Sequence, residues 1–259
     1  MGHIRLGRLP KVKKWRQVIA LLGTEQAEVS NIAKATVEAA NDAFNNFNAD
    51  PGLYYCYWLL TQITWHARSD SFSEILSSMG LDIRKEQSAI GFVSKVADFA
   101  SLEIKKFRNQ TVFTEIAQMS MREALLKVVS ERSQNLFGTT PEDIRLALKS
   151  LSTTNQFGKL SRLFFSSFIN RTLQFFISKE ISNHVGPDKN FSDIGSLKNF
   201  NEELSSFCYQ SAKIVEDFAG GWYSKRNWQG DITQDDAKNF IYVALKKLRE
   251  ELALEESTK

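Results

Sequence analysis

The sequence predicts an all-α protein: an irregular bundle of about eight to ten helices behind an extended basic N-terminal arm. Three observations carry this expectation. Only 4 prolines and 13 glycines interrupt 259 residues, which favours long helices over many short strands. Apolar residues recur at three- and four-residue spacing in nearly every segment, and strand-like alternation is confined to the first dozen residues. Five of the 19 phenylalanines fall within residues 158–177, on a stretch whose apolar arc is too wide for a surface helix.

Taken in order, residues 1–12 read as the arm. Ile4, Leu6, Leu9 and Val12 are interleaved with Arg5, Arg8 and Lys11, while Gly7 and Pro10 oppose a helix. A short helix follows, turning Trp15, Val18, Ile19 and Leu22 inward. Thr24 is the expected N-cap of the next helix, which carries Val29, Ile32, Ala33, Val37, Ala40, Phe44 and Phe47 in phase. Thr36 falls in that stripe, where its hydroxyl can bond a carbonyl one turn back. Asp50-Pro51 pairs an N-cap with an N1 proline and opens an aromatic helix. Ser71 and Glu74 have capping-box spacing ahead of a short helix that Gly80 ends.

Longer helices are expected over about 86–107 and 111–136. Ile90, Phe92, Val93, Val96 and Phe99 line the first, and Phe113, Ile116, Met121, Leu125 and Val128 the second. Thr140-Pro141-Glu142-Asp143 caps a helix through Leu151, and 152–156 is a polar connection. Within 158–177, Phe164, Phe165, Phe168, Ile169, Leu173, Phe175 and Phe176 share one side, interrupted by Ser161 and Thr172. Ser166, Ser167, Asn170, Arg171 and Gln174 take the other side with Leu163 and Ile177. Ser166, Asn170 and Gln174 recur every four residues in that stripe, which is poor in charge and expected to be partly covered. Gly186, Pro187 and Gly195 make 184–195 irregular. A helix over 197–218 is expected to stop at Gly220-Gly221, leaving 222–230 as a loop before a last helix from Thr233. The domain reading is an arm (1–12), a main bundle (13–185) and a C-terminal helical subdomain packed on it (186–259).

Hydrophobic residues at 42% and charged residues at 24% are too apolar for a disordered chain. The net charge of +3 hides an asymmetry. Arg5, Arg8, Lys11, Lys13, Lys14 and Arg16 stand in the first 17 residues without an acid, leaving 27 bases against 30 acids elsewhere. The body is therefore not basic. Two cysteines outside any ligand spacing, no signal-peptide pattern and no long apolar run give the expectation of a cytoplasmic protein without a transmembrane segment.

No catalytic site, metal site or cofactor is predicted. His3, His66 and His184 are far apart in sequence, with no HExxH, no Glu-x-x-His, no GxSxG elbow and no phosphate-binding glycine pattern. His66 and Asp70 have the spacing of a surface pair near a helix end. Two clusters are candidates for binding. One is the set Arg5, Arg8, Lys11, Lys13, Lys14 and Arg16, which can clasp its own domain, contact phosphates or steer a protein partner. The other is Trp222, Tyr223, Lys225, Arg226 and Trp228, whose residue types serve base stacking, protein interfaces or anchoring to a core. The phenylalanine-rich helix fits interfacial membrane insertion less well than core packing, because its polar face is poor in charge. The leading expectation is a non-enzymatic helical subunit or adaptor of a protein assembly, with a protein partner or a second copy. The alternative is a nucleic-acid-binding module using the same bases.

Overall fold

The computed structural model of the chain describes residues 9, 12–24, 27–47, 50–86, 88–132, 140–230 and 232–253. Among them are twelve α-helices and no strand. They are α1 (Lys13–Leu22), α2 (Val29–Ala39), α3 (Asn41–Asn46), α4 (Pro51–His66), α5 (Phe72–Ser78) and α6 (Ala89–Ile104). Then follow α7 (Val112–Arg132), α8 (Pro141–Lys149), α9 (Thr154–Ile181), α10 (Ile194–Ser211), α11 (Lys213–Gln229) and α12 (Gln234–Ala253). Of the arm, Leu9 is buried and Val12 exposed, whereas Arg5, Arg8 and Lys11 lie outside the described residues.

Helix α9 is the axis, packing against α2, α7, α10 and α11. Its aromatic rings reach in several directions. Phe157 stacks on Tyr223 at 3.9 Å, Phe164 and Phe165 meet Tyr57 of α4, Phe168 meets Phe47, and Phe176 meets Trp15 of α1. The two polar residues interrupting the apolar arc are both satisfied. Ser161 shares a 2.8 Å hydrogen bond with the Tyr57 hydroxyl, and Thr172 donates to the Phe168 carbonyl. A buried hydroxyl without such a bond would cost about 1–3 kcal/mol.

Caps account for the helix starts that sequence located well. Asp50 is buried and accepts from the amides of Gly52 and Leu53, and it also accepts from the hydroxyls of Thr111 and Thr114. One carboxylate thus caps α4 and holds the start of α7 against it. Thr140 and Asp143 form a reciprocal capping box on α8, and Thr233 with Asp236 does the same for α12. Gly80 follows α5 at φ 97°.

Several expectations are corrected. Thr24 does not cap α2: its hydroxyl donates to the Ala20 carbonyl and closes α1, and α2 begins only at Val29. Ser71 precedes α5 without a side-chain cap. The helix expected to run to Phe47 bends at Ala40, one turn beyond Thr36, whose hydroxyl bonds the Ile32 carbonyl. Such back-bonding favours a bend. The polar 152–156 connection is mostly helix, since α9 starts at Thr154. Ala212 divides the helix expected over 197–218, and these two divisions raise the helix number above the expected range.

The largest correction is at Gly220-Gly221. Neither glycine ends a helix, and 222–228 is not a loop but the last turns of α11. Its cause is contact. A Cβ on Gly220 would lie 2.0 Å from the Thr154 carbonyl oxygen, and one on Gly158 would lie 2.6 Å from that of Glu216. Helices α9 and α11 therefore touch backbone to backbone, which only glycine permits. The two neighbouring glycines should respond oppositely to alanine. Gly220→Ala loses about 3 kcal/mol through overpacking against main chain. Gly221→Ala, which meets nothing within 4 Å, gains about 0.5–1 kcal/mol of helix propensity. Urea unfolding of both variants checks this, and equal effects would refute the close contact.

Candidate functional site

The described surface opens around α7. Its inward stripe, with Met121, Leu125 and Val129, is buried, but Met119 and Leu126 project outward with exposures of 44% and 38%. Across from them Ile90 of α6 is 47% exposed, although its spacing suggested a core position. These three side chains and Val93 form the apolar walls of a trough of about 300 Å³ between α6 and α7. At Met119 and Arg122 the trough continues into a groove of about 810 Å³, bordered by Asp98, Lys105 and Glu115.

On the other side of α7, a polar trough of about 250 Å³ separates it from α10. Its floor is the polar stripe of α9: Ser166 and Ser167 are buried, and Asn170 is half-buried. The expectation that this stripe is partly covered holds, with α7 and α10 as its flanks. The partition between the two troughs is an ionic one. Arg171 pairs with Glu123 at 2.9 Å, Ser167 donates to the same carboxylate at 2.6 Å, and the Arg171 guanidinium also reaches Met119 Sδ at 3.6 Å. Arg122, by contrast, has no ion pair among the described residues.

The structure divides the second predicted cluster. Tyr223 is fully buried on Phe157, and Trp222 is half-buried with its ring 4.5 Å from Phe240. Arg226 pairs with Asp236 at 2.9 Å and so ties α11 to α12. Only Lys225 and Trp228 face outward, Trp228 at 92% exposure. Lys13, Lys14 and Arg16 are on α1, whose Trp15 meets Phe176 near the C-terminal end of α9. Helix α11 crosses Thr154 at the opposite end. Those three bases and the second cluster are therefore separated along a helix about 40 Å long.

Among the described residues no group of three or more His, Cys, Asp or Glu side chains has the placement to hold a metal ion. His66 bonds Gln62 rather than Asp70, which pairs with Arg145. Cys56 and Cys208 are both buried, and desolvation raises their thiols, that of Cys208 to about 12, so neither is a ready nucleophile. No helix among the described residues is long and apolar enough to cross a membrane.

Sequence reasoning missed the α6–α7 face, although a signal was present. Met119 and Leu126 fall outside the inward stripe of α7 and share its opposite side at i and i+7.

Arg162 braces the region from behind. It donates to the Tyr209 carbonyl at 2.8 Å, lies 3.9 Å from that ring and pairs with Glu216 at 3.0 Å, joining α9 to α10 and α11. Burial alone would raise the Glu216 pKa, but hydrogen bonds and charges from Lys213 and Arg162 outweigh it and hold the carboxyl below its ordinary 4.5. A depressed pKa stabilises the fold above the ordinary value and loses that contribution as pH falls through the folded one. Glu216→Gln should therefore lose about 1–3 kcal/mol at pH 7 relative to wild type. That difference should narrow below the ordinary carboxylate range, as measured by urea unfolding at each pH. A difference unchanged by acid would show that the ion pair contributes nothing. In comparisons with protein-family models, curated proteins and solved structures, the chain finds no significant match.

Proposed function

We propose that this chain is a non-catalytic α-helical subunit or adaptor of a protein assembly, with the α6–α7 face as its main contact surface. The observation that carries this reading is the clustering of Ile90, Met119 and Leu126 in the open around an apolar trough. Scattered exposed apolar residues are ordinary on any protein, but a grooved cluster of them is the usual mark of a partner site. Trp228 adds a second contact, because a nearly fully exposed tryptophan beside Lys225 resembles an interface anchor without its pocket. The nucleic-acid reading draws less support. That reading rests on the basic arm, and the second cluster adds little to it, since Tyr223 is stacked on Phe157 in the core and Arg226 is paired with Asp236.

Photo-crosslinking in extract of the native cell tests the proposal. A benzophenone side chain placed at Met119 or at Trp228 should yield one discrete protein adduct, at least about tenfold above the same group at exposed Glu202 of α10. Adducts equally weak and heterogeneous at all three positions would remove the adaptor reading.

A further inference from the structure

We propose that the trough between α6 and α7 seats an amphipathic α-helix of a partner protein, one that sets a carboxylate among its apolar anchors. This rests on the adaptor reading and specifies the chemistry of the partner at that face.

The occupant's secondary structure follows from the walls. Both sides of the trough are helices, which outside their end turns bond their amides and carbonyls within themselves, and no strand edge occurs among the described residues. A peptide laid over Ile90, Val93, Met119 and Leu126 would leave water without finding a main-chain partner. Its own backbone groups must then be satisfied internally, which a helix does and an extended segment does not. Helix-in-groove docking also matches the wall spacing. Met119, Arg122 and Leu126 stand at i, i+3 and i+7 on α7, the pattern that a facing helix meets with its own i, i+3, i+4 and i+7 anchors. The thioether of Met119 adapts its shape to such anchors.

The occupant's length follows from the groove. The trough and its continuation share Met119 and Arg122 and together run from Leu126 back to Val112. At 1.5 Å per residue that is about 21 Å, the length of a helix of about four turns.

Charge sets the remaining requirement. Three charged groups line the trough, and two of them, Glu123 and Arg171, neutralise each other at 2.9 Å. Arg122, where trough and groove meet, has no ion pair among the described residues. Covering it with a purely apolar helix would strip water from a guanidinium without replacement, whereas a carboxylate opposite it gives a planar, charge-assisted pair. Farther along, Asp98 and Glu115 are balanced in the lining of the groove by Lys105 and Arg122, so that stretch asks for no further charge on the helix.

The test uses the full chain and a displayed library of helical peptides of about sixteen residues, long enough to span the groove. Selected peptides should carry an acid within an apolar stripe, and should bind wild type at least about tenfold more tightly than Arg122→Glu. Exchanging the peptide's acid for lysine should restore binding to Arg122→Glu and weaken it for wild type. Unchanged thermal melts of Arg122→Glu and Arg122→Ala verify that the fold is intact, and amide shifts in 112–126 locate the peptide. Selection of acid-free or extended proline-containing peptides, equal affinity for Arg122→Glu, or no enrichment at all overturns the proposal. So does a concentration-dependent dimer that Arg122→Glu abolishes, since a second copy would then own the face. A crosslink from Met119 to a non-helical or acid-free partner segment overturns the helix alone and leaves the adaptor reading standing. Absence of any Met119 or Trp228 adduct removes the adaptor reading itself.

Discussion

The contact on which the C-terminal half depends is the one between the main chains of α9 and α11. Gly158 and Gly220 remove the side chains that would hold these helices apart, and the carbonyls of Glu216 and Thr154 occupy the space. Once α11 lies that close, Tyr223 falls onto Phe157, and Trp222 reaches both Tyr57 and Phe240. Phe240 then stacks on Tyr57 with only 5° between the ring planes, which seats α12 over α4. Trp58 and Gln62 complete that seat by donating to the Ile232 carbonyl. The arrangement carries a visible cost, a buried Tyr223 hydroxyl with no hydrogen-bond partner among the described residues.

Helix α7 illustrates how one element serves both core and surface. Its inner side is buried against α4, α6 and α9, and its start is locked by the Asp50 carboxylate through Thr111 and Thr114. With register and orientation set from inside, the outer side is presented on a rigid backbone. A preorganised surface loses less entropy when something binds to it than a loop does. The Glu123–Arg171–Ser167 group keeps the apolar and polar troughs apart, and the apolar one is also lined by Arg122, which has no ion pair among the described residues. Trp228 is held in a comparable way, on the last turn of a helix whose preceding aromatic residues are embedded.

Much of the helical order was legible because it is written in local rules. Asp50-Pro51, Thr140-Pro141 and Thr233 with Asp236 mark helix starts through hydrogen bonds made within a few residues. Position 24 was misread because threonine bonds a preceding carbonyl as readily as a following amide, and the choice belongs to the neighbouring helix. Of the candidate binding residues, the composition of 222–228 was a fair guide to importance but not to role. Helical phase sends Tyr223 into the core and Trp228 out of it, and that phase exists only if the helix continues.

By itself, the sequence determined an all-helical chain built about a phenylalanine-rich central helix whose second side is poor in charge. Periodicity and capping are local and leave a strong residue-by-residue trace. Tertiary structure alone decided whether Gly220-Gly221 breaks a helix or joins two, and whether Met119 and Leu126 meet a neighbour or water. A glycine's cost within a helix is about 1 kcal/mol, and contact with a second helix distant in sequence can outweigh it. Likewise, an apolar side chain becomes a docking surface only when no other part of the fold comes to cover it.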